Sequence, residues 1–317
     1  MIRTTLIYAD GHRTRSEGLS LASTPPADAT VWVDVLATSA LGLANLPAEW
    51  RFHPLALEDC IHPQRRSKYE RFPHHTFIVM QALDTSTTAA LDTTAIRIFL
   101  QGRLVVTVHD RPVAALERIV ELLDLDGERV GTGADRLLHA LLDAVIDELI
   151  PLLERWEDEL DVIDDRAAKD HELYVLPELV ELRRQVLVLR RMVLSQHEVL
   201  RRILEGFDPA EPGALYFRDV LDHVNVISDS AALLVDLCAG AIEVQQERAN
   251  ARLNRVMKYL ALVSTLLLPM TVISGAFGMN FDHIPDSHSP NGFWHAVALM
   301  LTSAGLLVMW FRRKRWM

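Results

Sequence analysis

The sequence predicts an α+β domain followed by one long helix and a pair of membrane-spanning helices at the carboxyl end. Three observations lead to this fold class. Alternating apolar runs stop near residue 115, helical spacing of apolar residues then takes over, and two 19-residue runs without Asp, Glu, Lys or Arg lie near the end. We therefore expect four regions: an α/β domain at 1–115, a region of acidic helices at 116–213, a stalk helix at 214–258, and two spans with their loop and basic tail at 259–317.

The first region carries four β-rich runs. They are TTLIYAD (4–10), TVWVDVLA (30–37), HTFIVMQAL (75–83) and TTAIRIFLQGRLVVTVHD (93–110). In the last of them, Gln101-Gly102-Arg103 predicts a hairpin turn between two alternating segments. The polar segment at 57–72 is expected to be a helix or a loop.

Helices dominate the chain from Pro112 onward. Apolar residues at three- and four-residue spacing predict helices over 114–125, 134–168 and 177–205. Two prolines and two glycines interrupt this pattern at 205–213. The next proline is Pro269, so one helix can run over about 215–277, roughly 95 Å at about 1.5 Å per residue.

The composition excludes several classes of function. A net charge of -11 argues against nucleic acid as a partner, since nucleic-acid binders usually present a basic face. Cys60 and Cys238 lie far apart, which predicts reduced thiols and no disulfide framework. No signal-peptide pattern is present, so nothing indicates secretion. There is also no hydrolase motif, nucleotide-binding glycine fingerprint or P-loop, so we expect neither an enzyme nor an ATP-driven pump.

Charge placement predicts the membrane topology. No Lys or Arg occurs from Tyr259 to Phe311. Basic residues flank this window at Arg248, Arg252, Arg255, Lys258 and 312–315. The positive-inside rule then predicts a hairpin in the lipid bilayer with both termini in the cytoplasm, and Trp294 and Trp310 bracket the second span as interfacial aromatics do. Two buried core helices are the alternative.

The first span carries polar and small residues on one stripe. With the residues that lead into it, the stripe comprises Asn250, Asn254, Met257, Ala261, Ser264, Leu268, Thr271 and Gly275. A helix that faces only lipid has no reason for such a stripe, so we expect it to meet other helices or water. Because two helices cannot enclose a conduit, a pore requires several chains around an axis. A stripe that only packs helices together is the alternative.

Two segments at the carboxyl end have a recognisable pattern. LPMTVISGAFGMNF (268–281) ends the first span with Gly278-Met279-Asn280, and FRRKRWM (311–317) closes the chain. Together they resemble the CorA family of divalent-cation transporters, and the resemblance extends to 53–72, 153–164 and 217–223. It implies a homopentamer in the cell inner membrane, with a cytoplasmic α/β domain, stalk helices that form the pore, and the second span outside them.

The resemblance also implies roles along the pore. Gly278, Met279 and Asn280 are expected to form the selectivity filter, while Asp282 and Asp286 concentrate cations at the entrance. The predicted pore-lining residues are Glu243, Asn250, Asn254, Met257, Leu260, Ser264, Leu268, Thr271 and Gly275. Among these, Met257 with Leu260 or Leu268 matches the apolar constriction of the family, and Glu243 the cytoplasmic end. Family members commonly have Tyr where this chain has Phe277.

A regulatory metal site between protomers is a further expectation from the resemblance. The matching residue is Asp219, with Asp222 and His223 close by and Asp84 as the nearest candidate partner. A carboxylate face is also predicted, at Asp147, Glu154, Asp158, Asp161 and Asp165. It is either a solvated face or a surface that attracts cations near the pore.

Mg²⁺ is the expected ion, both transported and regulatory, with Co²⁺ or Ni²⁺ as incidental cargo. Mg²⁺ prefers oxygen ligands and keeps its waters, which suits a ring of Asn280 side chains. The histidines at 283, 288 and 295 keep a Zn²⁺ transporter open as an alternative. The alternative from another class is a membrane-anchored metal sensor or scaffold that conducts no ions.

Overall fold

The computed structural model of the chain describes residues 1–19, 26–36, 46–62, 66–84, 91–125, 130–169, 172–279, 291–314 and 316. These residues form two compact units, Met1–Ile242 and Glu243–Met317. The first contains a mixed sheet with helices, and the secondary-structure elements described in the second are all helices. The predicted fold class is confirmed.

Among the described residues, seven strands form one sheet in the first unit. They are β1 (Ile2–Tyr8), β2 (Arg13–Glu17), β3 (Ala29–Leu36), β4 (Lys68–Arg71), β5 (Thr76–Leu83), β6 (Thr93–Gln101) and β7 (Leu104–His109). Their order is β2-β1-β3-β7-β6-β5-β4. Neighbours are antiparallel except β3 and β7, which run parallel with Asp34 opposite Thr107.

Local chemistry explains these strands. The predicted hairpin between β6 and β7 is confirmed, with Gly102 at a φ of 57°, a conformation that glycine adopts at low cost. The two edge strands, β2 and β4, have the sequences RTRSE and KYER and were not predicted. Charged residues are usual on edge strands because they discourage pairing with another sheet, and they hide the apolar alternation that marks inner strands.

The helices are α1 (Pro54–Ile61), α2 (Ala114–Leu125), α3 (Ala134–Asp147), α4 (Ile150–Ala168), α5 (Glu172–Leu204), α6 (Pro212–Phe277) and α7 (Gly292–Arg313), with a 3-10 turn at Ala48–Trp50. The prediction of one helix over 134–168 is wrong, because the chain breaks at Glu148 and Leu149. Pro151 lies in the first turn of α4, where its missing N–H costs nothing. The single long helix is confirmed.

Both faces of the sheet are covered in the first unit. Ile78 and Met80 of β5 belong to a core that includes residues of α2, α3, α4, α5 and the first part of α6. Phe77 and Val79 point to the other face, where they join a core with Trp50 and α1. Since α3 and the beginning of α6 share the first core, residues of these two helices come together beside it.

Candidate metal centre and pore-lining helix

The second unit exposes the stripe that was predicted to line a pore. Met257, Leu260 and Leu268 are 57%, 60% and 68% exposed. The remaining predicted pore-lining residues are exposed as well: Glu243, Asn250, Asn254, Ser264, Thr271 and Gly275. The placement in one chain agrees with the prediction but does not test the roles of these residues.

The opposite face of the same helix is covered. Leu262 is buried, and partly covered residues, among them Leu266 and Ile273, follow it at helical spacing. Residues two positions apart on an α-helix are roughly 200° apart, so Leu262 and Ser264 lie on opposite faces. In α7, Ala296 and Phe311 are buried. The stripe of α6 therefore lies on the side of the helix away from its covered residues.

The two helices do not behave as core helices of a soluble protein. Only 6% of the most apolar 18 residues of α6 and 11% of those of α7 are buried. Burying an apolar side chain releases about 1.5–3 kcal/mol, so a surface this apolar needs a cover of lipid or protein. This exposure opposes the alternative of two buried core helices.

Thr271 shows how an apolar helix can offer oxygen to a cation. Its hydroxyl donates a hydrogen bond to the carbonyl oxygen of Leu267, at 2.9 Å. Because the hydroxyl proton is used inside the helix, the lone pairs of the oxygen point away from it. A ring of such oxygens would be an acceptor for a cation or for its water ligands.

Gly278 follows the last residue of α6 and has little space. Its N–H contacts the carbonyl oxygens of Ser274 and Gly275, at 3.0 and 3.2 Å. A Cβ atom here would lie 3.1 Å from the carbonyl oxygen of Ser274, a tight contact that a shift of a few tenths of an ångström would relieve. Met279 is half exposed. Asn280, Asp282 and Asp286 lie outside the described residues.

Acidic residues continue the pattern of the stripe within the first unit. Asp222, Asp229 and Asp236 recur at steps of seven residues on α6, and all three are exposed. From the sequence, Asp222 was predicted to belong to the regulatory metal site, and Asp229 and Asp236 were not identified. Their seven-residue spacing, which reaches Glu243 at the next step, was the signal that could have found them.

A separate group of polar side chains gathers between α3 and α6. Asp143 and Asp147 lie one turn apart on α3, and His223 approaches them from α6. The Nδ1 atom of His223 is 3.6 Å from Oδ1 of Asp143 and 3.6 Å from Oδ1 of Asp147. All three ligand atoms lie within 4.8 Å of one another. Two carboxylates and an imidazole are a suitable set for a divalent cation.

The electrostatics of this group favour a cation. Burial raises the pKa of the Asp143 carboxyl to about 6, and the charges of Asp147 and Asp219 act in the same direction, against that of His223. Among the described residues, Oδ1 of Asp143 and Nδ1 of His223 have no hydrogen-bond partner. A divalent cation would both satisfy these atoms and neutralise the crowded carboxylates.

The four residues predicted to bind metal do not form one group within the chain. His223 joins Asp143 and Asp147, and Asp219 is exposed but close enough to act on Asp143. The carboxylate of Asp84 is fully buried and pairs with Arg111, which also lies 3.0 Å from Asp92. A metal at Asp84 would have to displace this guanidinium. A pairing of Asp84 with Asp219 of another protomer stays a prediction.

The predicted carboxylate face needs a correction. Asp147 ends α3, whereas Glu154, Asp158, Asp161 and Asp165 lie on α4, so the break at 148–149 separates them. Asp147 instead belongs with Asp143, which sequence reasoning missed. Their four-residue spacing was visible, and His223 was itself predicted as a metal-site residue, but nothing in the sequence indicated that His223 would lie beside Asp143 and Asp147, the latter 76 residues before it.

Comparison with known proteins shows the family of the chain. The pattern of the family described as CorA-like Mg2+ transporter protein matches residues 27–313. The chain belongs to the CorA family. It is 30% identical over 295 residues to the protein YfjQ of Bacillus subtilis (strain 168), whose name proposes a metal ion transporter, and the match covers 92% of this chain and 91% of the relative.

Two further members place the match along nearly the whole length. The cobalt/magnesium transport protein CorA of Thermotoga maritima is 28% identical over 298 residues, covering 90% of this chain and 83% of that protein. The complete structure of the CorA magnesium transporter from Methanocaldococcus jannaschii shares the fold, with a TM-score of 0.85, 21% identity, and coverage of 99% and 98%. The chain is therefore a membrane-embedded member of a family of divalent-cation transporters, and α6 and α7 supply its candidate spans.

Proposed function

We propose that this chain is a channel-like importer of Mg²⁺, in which five copies surround a pore lined by the exposed stripe of α6. The observation that carries the proposal is the uncovered stripe itself. It holds polar, small and apolar residues on the face opposite the covered residues of α6. Lipid would cover an apolar face, but the hydroxyl oxygens of Ser264 and Thr271, within the span, favour a wet axis.

The chemistry of the stripe favours a hydrated cation with a preference for oxygen. Asn280 offers a side-chain carbonyl at the proposed filter. Thr271 offers a hydroxyl oxygen whose proton is already bonded within the helix. The exposed acids Asp222, Asp229 and Asp236 add negative charge along the same helix. Mg²⁺ surrenders its waters reluctantly, so neutral oxygens that hold its hydration shell suit it. The transport of Co²⁺ or Ni²⁺ would follow from their similar hydrated size.

The arrangement in the membrane follows from charge. Basic clusters before Tyr259 and after Phe311 support a topology with both termini in the cytoplasm and the acidic loop between the spans on the outer side of the inner membrane. A divalent cation that enters down an inside-negative potential of 100 mV releases about 4.6 kcal/mol, twice the roughly 2.3 kcal/mol per charge. Import therefore needs no other source of energy.

We propose that the cytoplasmic metal that regulates the pore binds at the group of Asp143, Asp147 and His223, with Asp219 nearby. His223 and Asp219 lie on α6, the same helix that carries the stripe. A metal bound between α3 and α6 would hold the two helices together, and its loss would leave like charges facing each other.

Flux through reconstituted vesicles tests the transport proposal. With an internal Mg²⁺ indicator and an inside-negative potential, we expect uptake by the wild type. Asn280→Ala should abolish uptake or broaden its ion selectivity while leaving the oligomer intact. Ser303→Ala, on α7 and away from the stripe, is the matched control and should transport normally.

Other outcomes of the flux assay would select an alternative. The absence of wild-type flux would favour a non-conducting sensor or scaffold. Preference for Zn²⁺ in a competition between Mg²⁺ and Zn²⁺ would favour a zinc transporter, for which the imidazole of His223 is the best supporting ligand.

Regulation is tested separately, by loading the vesicles with Mg²⁺ on the cytoplasmic side. Asp147→Asn removes one charge and one ligand, so inhibition by internal Mg²⁺ should need a concentration at least several-fold higher. Asp219→Lys should alter inhibition by supplying a fixed positive charge. Asp161→Asn, an exposed acid on α4, is the matched control. Unchanged inhibition in Asp147→Asn would contradict the assignment without touching the transport proposal.

A further inference from the structure

A buried histidine lies at the start of β5. His75 precedes β5, is 4% exposed, and packs among three aromatic rings. Its ring centroid is 5.3 Å from that of Phe52, 5.0 Å from that of Phe72 and 5.6 Å from that of Phe99. Among the described residues, neither ring nitrogen has a hydrogen-bond partner.

This pocket disfavours a charged imidazole. A neutral ring leaves one N–H and one lone pair unsatisfied, whereas an imidazolium would leave two N–H groups and a buried charge. The titratable groups whose charges act on it are His53, which precedes α1, and His74 of the same turn, and both become positive on protonation. Burial, and then these two charges, lower the pKa of His75. Attraction between a cation and the aromatic faces offsets only part of this.

The pocket is also where the segment before α1 attaches to the sheet. Phe52 stacks on Phe99 of β6, with centroids 4.1 Å apart. His53 stacks on Phe72 at 4.6 Å, and Phe72 stacks in turn on His75. The rings that hold the segment are therefore the rings that surround His75.

We propose that His75 makes the attachment of residues 46–62 to the sheet sensitive to pH, so that a neutral ring holds the segment and protonation loosens it. The segment includes the 3-10 turn and α1, whose Ala56 and Cys60 cover one face of the sheet. The proposed device responds to acid on the side of the membrane where the first unit lies. It does not depend on which ion the protein transports.

The direction of the effect follows from the lowered pKa. When the segment is detached, His75 takes up a proton near the ordinary histidine pKa of about 6.5, whereas in the attached form its pKa is lower. The stability of the attachment is therefore fully present above pH 6.5 and is lost as the pH falls below it. Between pH 7.5 and 5.5, the equilibrium between detached and attached forms can change by up to about tenfold.

Hydrogen–deuterium exchange of the full-length protein in micelles at pH 7.5 and 5.5, corrected for intrinsic exchange, tests the proposal. In the wild type we expect peptides from 46–62 to lose protection several-fold at pH 5.5, while β7 peptides keep theirs. His75→Phe fills the pocket without a titratable group and should remove the difference, and His75→Met serves if the first variant does not fold. His74→Gln, at the exposed neighbour, should retain it.

Two outcomes would overturn the proposal. One is equal protection of 46–62 at both pH values in the wild type. The other is a pH difference that survives in His75→Phe or His75→Met, which would assign the effect to His53 or another group.

Discussion

The two units of this chain treat apolar and charged side chains in opposite ways. Leu142, in the first unit, is completely buried, whereas Leu267, in the second, is 53% exposed although both lie on helices. The first unit covers both faces of its sheet with its own residues. The second exposes apolar residues along both of its helices, so its cover must come from outside the chain. The stability of the first unit is internal, and that of the second depends on a cover of lipid or protein.

The same contrast holds for charge. In the first unit, Asp34 is 4% exposed and accepts hydrogen bonds from Thr107 at 2.7 Å and Arg3 at 3.0 Å, with His109 at 3.1 Å. Arg3 continues the network to Glu117 of α2. In the second unit, the interval from Tyr259 to Phe311 contains no Lys or Arg at all. One unit neutralises buried charge with partners, and the other excludes cationic side chains from the membrane.

The largest expected effect compares one substitution in the two units. Leu142→Ala leaves a cavity in the core and should lower the free energy of unfolding of the sheet by about 2–5 kcal/mol. Leu267→Ala removes side-chain volume from an exposed surface and should leave the stability of the sheet unchanged. Native-state hydrogen exchange of β5 and β6 in micelles measures both. Similar losses in the two variants would show that the units are not independent in stability.

The sequence predicted the first unit unevenly, and the reasons are physical. The inner strands, the hairpin at Gly102 and the bounds of α2 followed from local patterns of apolar and turn residues. The break between α3 and α4 was missed because apolar spacing continues across Glu148 and Leu149, although Pro151 marked a helix start. The edge strands β2 and β4 were missed because their charged residues carry no alternation.

The candidate sites were also predictable only where a local pattern describes them. The stripe of α6 was predictable because it lies on one helix, where spacing alone places side chains on a face. The group at His223 was not, since it requires α3 and α6 to come together across a core that no local pattern describes. The ion pair of Asp84 with Arg111 was equally hidden, and it weakens the choice of Asp84 as a ligand.

A second prediction concerns the buried charge of the first unit. Nδ1 of His109 lies 2.6 Å from the carbonyl oxygen of Arg111, and its Nε2 faces the carboxylate of Asp34. Both neighbours are acceptors, so both nitrogens must carry protons. Burial acts to lower the pKa of His109, but the hydrogen bond and charge of Asp34, with the Arg111 carbonyl, raise it overall.

The raised pKa fixes the sign of the pH dependence. The stability that His109 contributes is fully present below about pH 6.5 and is lost as the pH rises through the folded-state pKa, by at most about 1.4 kcal/mol per pH unit. Thermal unfolding of the first unit between pH 6 and 9 should show this loss. His109→Gln should flatten the slope, while His12→Gln, at an exposed turn, should preserve it. A wild-type slope of the opposite sign would contradict a charged His109.

The smallest expected effect lies within the second unit and asks whether its two helices face different surroundings. Thr271 on α6 and Thr302 on α7 make the same bond, from the hydroxyl to the carbonyl oxygen four residues earlier, at 2.9 and 2.7 Å. Valine keeps the shape of either side chain and removes its oxygen. If only α6 meets permeating cations, Thr271→Val should lower Mg²⁺ uptake by roughly fivefold, equivalent to about 1 kcal/mol, while Thr302→Val should leave it unchanged. Thr271→Ser keeps the oxygen and should restore uptake. Equal effects at the two positions would indicate that both hydroxyls serve helix packing alone. The stripe of α6 would then not be the surface that meets permeating cations.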